Sequence, residues 1–216
     1  MTIAITGATG QLGRLALAAI KTRGGSAIAL ARDPAKAADL GGQVRAFDYT
    51  KADAAALQGV STLVLISSND FNDRAGQHRA VIAAAKAAGV GHVIYTSILK
   101  GDQSPMILAQ DHIATEAALR ASGLALTVLR NGWYTENYTG SLGAAVAHGG
   151  MAGSAGDGRI ASAARADYAE AIAAVALNAG LQGKVYELAG DTAYSMAEMA
   201  AEVSRQTGKA IGYTSL

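Results

Sequence analysis

The chain contains no cysteine, which removes a disulfide framework, a thiolate metal site and a cysteine nucleophile from consideration. Aromatic side chains are scarce, 2 Phe, 1 Trp and 8 Tyr in 216 residues, so a ring-filled core is disfavoured. Charge is short too: 16% of the residues are charged, where an ordinary soluble domain carries about 25%. The 18 basic and 17 acidic side chains leave a formal charge of +1, too little to favour nucleic acid or an acidic membrane surface as partner. Runs of about 18 apolar residues are missing, because Lys, Arg, Asp or Gly breaks each Ala-rich stretch. Met1 leads straight into Thr2-Ile3-Ala4-Ile5-Thr6 with neither a basic leader nor a cleavage site. The expectation is a soluble, cytoplasmic protein that binds no nucleic acid and no membrane.

What the chain does have is small residues: 26 Gly, abundant Ala, and half of all positions apolar. Short apolar runs alternate with longer periodic ones, the pattern of successive βα units on a parallel sheet. Strands are expected at about Thr2–Thr6, Ser26–Ala31, Gln43–Phe47, Thr62–Ser67, His92–Ser97, Leu124–Leu129 and Lys184–Leu188. Helices are expected at about Gln11–Arg23, Asp33–Leu40, Asp73–Ala88, Leu108–Ala121 and Arg165–Ala179. Leu63-Val64-Leu65-Ile66 has no polar alternation, so helices should cover both faces of the sheet. The fold class is α/β, a doubly wound, Rossmann-like parallel sheet. Residues 1–130 read as its dinucleotide-binding core and 131–216 as a small substrate-side region interleaved with that core. Asn131–Ser162 is rich in Gly, Ser, Asn and Tyr and weakly periodic, and Ile211–Leu216 looks like the start of a further element.

The strongest chemical signal is Gly7-Ala8-Thr9-Gly10-Gln11-Leu12-Gly13, directly after the first strand and opening the first helix. There Gly7 allows the tight turn, Gly10 lets backbone approach a pyrophosphate, and Gly13 lets the helix pack closely while its amides face the phosphates. At the end of the second strand an acidic residue would bind a ribose hydroxyl, whereas Arg suits a 2′-phosphate. The sequence reads Ala31-Arg32-Asp33-Pro34, so NADPH is the expected cofactor and NADH the weaker alternative; otherwise Arg32 is a solvated loop charge. Asp48 is placed either for the adenine edge or as a helix N-cap. Ser67-Ser68-Asn69 would lie beside the ribose and nicotinamide, or be polar turn residues.

Tyr95-Thr96-Ser97 ends the fifth strand, with Ser97 where a reductase of this architecture keeps its catalytic serine, and Ser97 is expected on the cofactor side. Its usual partner, Tyr-x-x-x-Lys, is absent: the residues four before each Lys are Leu17, Arg32, Phe47, Ile82, Thr96, Gly180 and Arg205. His112 stands where the Lys would be and Leu108 where the Tyr would be. Alcohol chemistry with a tyrosine base is therefore disfavoured. Two readings of His112 stay open: it assists at a ribose or a substrate oxygen, or it is an exposed helix residue contacting Glu116. His78, His92 and His148 have no paired ligand spacing, so no metal is expected. Gly-x-Ser-x-Gly is also absent, against a hydrolase.

Together these blocks resemble the NmrA-like, atypical short-chain dehydrogenase/reductase family, and most closely its type-2 NAD(P)H:quinone oxidoreductases. The likeness rests on Ile5–Gly13, Leu65–Ser68, Tyr95–Ser97, Leu129-Arg130-Asn131-Gly132-Trp133-Tyr134-Thr135-Glu136-Asn137-Tyr138, Gly156-Asp157-Gly158, Ile160–Ser162, Arg165–Tyr168 and Val185–Gly190. It implies direct hydride transfer from NADPH to a quinone, with Asn131, Gly132 and Trp133 at the nicotinamide and Tyr134, Asn137 and Tyr138 toward the substrate. Simple packing of the loop is the other reading of Trp133 and Tyr134. The family also implies a homodimer, and a C-terminal segment past Leu216 that is absent from these 216 residues. A redox sensor that binds NADP without turnover, and a reductase of another small molecule, share the same cofactor residues.

Overall fold

The computed structural model describes residues 1–216 in full. Its strands are β1 (Ile3–Ile5), β2 (Ala27–Ala31), β3 (Val44–Ala46), β4 (Thr62–Leu65), β5 (His92–Ile98), β6 (Ala125–Asn131), β7 (Gly150–Gly153), β8 (Arg159–Ile160), β9 (Val185–Leu188), β10 (Tyr194–Ser195) and β11 (Gly212–Ser215). The helices are α1 (Gln11–Thr22), α2 (Arg74–Ala87), α3 (Ala109–Ser122), α4 (Glu136–Thr139), α5 (Leu142–His148), α6 (Arg165–Leu177) and α7 (Met196–Thr207). Two compact units divide the chain: Met1–Asn131 with Ala166–Leu188, and Gly132–Arg165 with Ala189–Leu216.

The first unit holds a seven-stranded sheet in the order β3-β2-β1-β4-β5-β6-β9, every neighbour pairing parallel. The order reverses between β1 and β4, where Ile3 pairs with Thr62 and Ile5 with Val64. That reversal is the topological switch point at which open α/β sheets bind ligands. Thr62, Leu63, Val64 and Leu65 are all buried, as a strand covered on both faces requires. Leu63 and Leu65 join Ala4, Leu30, Val81, Leu119 and Val128 in one core cluster, with Tyr95 buried among them. The buried stripes of α2 and α3 turn polar toward their N-termini: Arg74, Gln77 and His78 on one, His112, Thr115 and Glu116 on the other. The stretch expected as a helix after β2 is a 3₁₀ helix, Pro34–Leu40, that Asp33 caps by accepting from the Ala35 amide.

In the second unit the weakly periodic segment resolves into short elements. β11 runs parallel to β7, Gly212 opposite Gly150 and Ser215 opposite Gly153, so the C-terminal residues do form the further element. Helix α7 opens on a capping box: Ser195 accepts from the Glu198 amide and Glu198 accepts from the Ser195 amide. Ala145, Ala200, Val203 and Ile211 form its small apolar core. No helix of the chain is long and apolar enough to cross a membrane.

Candidate functional site

The switch point is built from the glycine loop upward. Gly7 has φ +61°, a left-handed turn open to glycine at little cost, and the Gly10 amide donates to its carbonyl (2.9 Å). A Cβ on Gly13 would come within 2.9 Å of the Ala8 Cα and closer still to the Gly7 oxygen, so only glycine lets α1 start this tightly against the loop. No side chain caps α1 and its first turn has no acid, which leaves its leading amides open toward an anion. The Thr9 carbonyl accepts from Arg14 Nε, and Arg14 also reaches Asp39 and the Lys36 carbonyl, tying α1 to the 3₁₀ helix behind the loop. Gln11 and Leu12 occupy the first turn of α1.

Tyr49, which sequence reasoning passed over, closes the crevice floor. Its hydroxyl lies 2.7 Å from both Thr6 Oγ1 and the Ile66 carbonyl, joining the ends of β1 and β4 across the switch point. Burial holds this phenol above its ordinary pKa, so it is a fixed neutral donor. The Ile66 amide donates to the same Thr6 oxygen (3.0 Å).

Past β2, Arg32 is exposed and its side chain makes no hydrogen bond or ion pair. Its charge, after the Thr50 hydrogen bonds, helps to hold the Asp48 carboxyl below the usual range. Asp33 is spent on its cap. Of the two readings of Asp48 the structure carries the N-cap: Oδ1 accepts from the Thr50 amide and hydroxyl, both at 2.9 Å, at the start of a 3₁₀ turn, Tyr49–Lys51.

After β4, Ser67 is half-buried with its hydroxyl unpartnered, its amide donating to Thr96 Oγ1 (2.9 Å), and Asn69 is exposed. Ser68 differs: its hydroxyl donates to Gln77 (2.6 Å) and accepts from the Asp70 amide (3.1 Å), so it is a turn residue with no hydroxyl to spare.

The ends of β5 and β6 are closed in on themselves. Ser97 Oγ donates to Glu116 Oε1 (2.6 Å) beneath α3. Glu116, 2% exposed, also accepts from Arg120 (2.7 Å) and, side-on, from Arg130 Nε (3.0 Å) and Nη2 (2.9 Å). Arg130 Nη1 goes on to Glu187 (2.9 Å), whose second oxygen takes the Lys100 amide (2.8 Å). Lys100 has φ +68°, rare for a residue with a side chain, and the Arg130 guanidinium occupies the space a Cβ on Gly101 would need. The hydrogen bonds to Glu116 lead in holding Arg130 fully protonated.

The exposed reading of His112 is overturned. The ring is 6% exposed, its Nδ1 lies 2.8 Å from the Tyr95 hydroxyl, and Glu116 bonds elsewhere. Burial, then Arg74, pushes its pKa down to about 4, while burial raises that of Tyr95. Asn131 is buried at the end of β6.

Within the second unit, Gly132 leads into Trp133, whose carbonyl accepts from the Ala163 amide. The indole is 37% exposed. The Tyr134 ring lies under the Arg165 guanidinium, 4.6 Å from its centroid, and Arg165 also reaches the exposed Asn137 (3.4 Å). Glu136 fixes this arrangement by accepting the Arg165 amide (2.9 Å). Tyr138 lines a cavity of about 410 Å³ together with Ala145, Met151, Ile160, Met196 and Tyr213. Burial, then Tyr194, raises the Tyr138 pKa, against a lowering hydrogen bond with Trp133.

Residues 7–179 match the NAD(P)H-binding family. The chain is 54% identical to Quinone oxidoreductase 2 of Escherichia coli (strain K12), covering 99% of this chain and 77% of that protein. It superposes on the crystal structure of the E. coli NADPH-dependent quinone oxidoreductase QOR2 complexed with NADPH, with a TM-score of 0.93 and 52% identity over 99% of this chain and 78% of that one. Triphenylmethane reductase of Citrobacter sp., complexed with NADP(H), gives a TM-score of 0.95 at 34% identity, over 100% and 79% of the two chains.

Proposed function

The chain belongs to the NAD(P)H-binding family, and we propose that it is an NADPH-dependent quinone oxidoreductase. The first unit fits the dinucleotide: Gly7 makes the left-handed turn, Gly13 lets α1 start hard against the loop backbone, the leading amides of α1 carry no side-chain cap, and Arg32 is an unpaired cation. On this reading Gly7, Thr9, Gly10, Gln11, Leu12 and Gly13 hold the pyrophosphate and Arg32 the 2′-phosphate. Asp48, its carboxylate occupied as a cap, shapes the adenine side, and Ser67 and Asn69 serve the ribose, with Ser68 setting the turn. The consecutive residues Asn131, Gly132 and Trp133 are assigned to the nicotinamide. Tyr134, Asn137 and Tyr138 are assigned to the quinone. Ser97 is assigned the role of bracing β5 from below.

The observation that carries the reaction class is the absence of a usable acid at the end of β5. Tyr95 and His112 are buried against one another with their pKa values driven apart, and Ser97 is held by Glu116. When bound, the nicotinamide supplies a hydride. A quinone accepting that hydride becomes a hydroquinone anion, a stabilised phenolate that takes its proton from water, so positioning suffices and no protein acid is consumed. The residues left to the protein are those that bind and orient.

The test is NADPH absorbance in the presence of a panel of small quinones. Steady oxidation, faster with NADPH than with NADH, is expected. Tight NADPH binding with no oxidation by any quinone would overturn the enzyme reading in favour of a sensor. We further propose a homodimer, checked by sedimentation, and a cytoplasmic location, checked by cell fractionation.

A further inference from the structure

Every polar backbone and side-chain group of Ser68, in the turn after β4, is held by the first turns of α2. Its amide donates to His78 Nε2 (2.9 Å), its hydroxyl to Gln77 Oε1 (2.6 Å), and its carbonyl accepts from Arg74 Nε (2.6 Å). The neighbouring Ser67 keeps a free hydroxyl. The directions of these bonds can be followed through the buried His78. Thr115 Oγ1 donates to the Asp111 carbonyl (2.7 Å), so toward His78 Nδ1 (2.9 Å) it accepts, and Nδ1 carries the proton. Nε2 is then bare and free to take the Ser68 amide. One relay therefore runs from the Ser68 N–H through the imidazole to Thr115 and Asp111, and connects the end of β4 to α3.

We infer that His78 is a positioning residue for the cofactor: held as the neutral Nδ1–H tautomer by Thr115, it fixes the Ser68 amide and thereby presents the Ser67 and Asn69 groups to the ribose and nicotinamide half. The inference rests on the proposed reading that the β4 turn borders the bound dinucleotide. The imidazole touches neither cofactor nor substrate and acts only through Ser68. A second proton on Nε2 would face the Ser68 N–H, and the surroundings oppose it as well: burial leads, His112 on α3 resists sharing a positive charge with it, and the Arg74 guanidinium on α2 adds to this.

The test is a set of three variants of the full chain. His78→Gln places an amide oxygen at the reach of Nε2 and keeps an acceptor for Ser68, His78→Asn reaches only the Nδ1 side, and His78→Phe offers no acceptor. Titration with NADPH should leave His78→Gln within about threefold of wild type and weaken His78→Asn and His78→Phe about tenfold, the worth of one lost buried hydrogen bond. Melting temperatures should not separate Gln from Asn, so a gap in affinity between these two is not a folding effect. Equal NADPH affinity for Gln and Asn overturns the inference, as does wild-type affinity in His78→Phe. Should wild type bind NADPH yet reduce no quinone, the quinone reading falls and the affinity ranking still decides the role of His78. A wild type that binds no NADPH overturns both.

Discussion

At the C-terminal ends of β1 and β2 the chain leaves its polar groups open, whereas at the ends of β5 and β6 it closes them on one another. The first turn of α1, after the glycine loop, has no side-chain cap on its amides, and Arg32, one strand over, has no partner. Ser97, Glu116, Arg130 and Glu187 form a continuous network with each charge answered. The difference separates two meanings of a polar residue at a strand end. An open group has paid no desolvation and is ready for a ligand; a closed one has its bonding capacity used up by the fold. Tyr49 lies between the two, neutral and fully bonded yet beside the open loop.

The largest effect should come from breaking the closed side. Glu116→Ala leaves Arg130, 15% exposed at its side chain, without its bidentate partner and should cost about 3–5 kcal/mol in urea denaturation. The ratio of NADPH to NADH affinity should not change, because none of the open groups is touched. A loss below about 1 kcal/mol, the worth of an exposed pair, would mean that the closed network is surface decoration and the comparison is misdrawn.

Next in size is the response of the closed side to acid. His78 and His112 are neutral in the folded chain, burial and then neighbouring charge having pushed their pKa values down to about 3 and about 4 from 6.5. Between pH 6.5 and 4 the unfolded chain binds more protons than the folded one, so stability falls as the pH drops through that window, by up to about 1.4 kcal/mol per unit for each histidine. Glu116 extends the fall at still lower pH: burial raises its carboxyl, but the bonds from Arg130, Ser97 and Arg120 outweigh that and hold it below the ordinary value. Its contribution is present above the unfolded pKa and is lost as pH falls through the folded one. Melting temperatures measured from pH 6.5 to 4 should decline, and His112→Gln should flatten the decline. A flat profile in wild type would show that the histidines are not held neutral.

The open side was the legible one. Gly7-x-x-Gly10-x-x-Gly13 after an apolar strand declares its use because backbone geometry demands glycine at fixed spacing, and Arg32 follows from the strand that precedes it. The closed side was not, because its partners are far apart in sequence. Glu116 and Arg120 at four-residue spacing look like a surface pair, and nothing local says that Arg130 arrives from the neighbouring strand to bury the carboxylate. Ser97 was placed on the cofactor side by position, but it shares a strand face with Tyr95, two residues back, and that face belongs to α3. Beyond Asn131, Gly and Ala obscure the period of α5, and the start of α7 went unread although Ser195-Met196-Ala197-Glu198 has the spacing of the capping box it forms. Asp48 was ambiguous because the same short carboxylate can cap a turn or reach a ligand, and only the Thr50 contacts reveal the cap.

A smaller effect tests the open side directly. Arg32→Ala removes an exposed side chain with no internal bond, so stability should stay within about 0.5 kcal/mol. NADPH affinity should fall about 10- to 100-fold, the range of a charge-assisted hydrogen bond to phosphate, while NADH affinity stays near its wild-type value. Parallel titrations with both cofactors check it, and equal weakening of the two would remove the 2′-phosphate from the account of Arg32.

Tyr49→Phe should have the smallest effect and bears on the boundary between the two sides. The ring stays packed against Phe47 and His78, so the change deletes one hydroxyl. Thr6 Oγ1 still takes the Ile66 amide and donates to the Val64 carbonyl, and the Ile66 carbonyl is the group left poorer. The cost should be about 1 kcal/mol in denaturation. The informative measurement is NADPH affinity in the same variant. A hydroxyl that only ties β1 to β4 would lower stability and leave binding alone. But the Tyr49 oxygen lies against Gly7, where a Cβ would meet it at 3.4 Å, so releasing it loosens the turn that leads into the uncapped amides of α1. Affinity should therefore drop a few-fold along with stability, roughly the equivalent of 1 kcal/mol, and a variant destabilised but binding as wild type does would place Tyr49 wholly on the closed side.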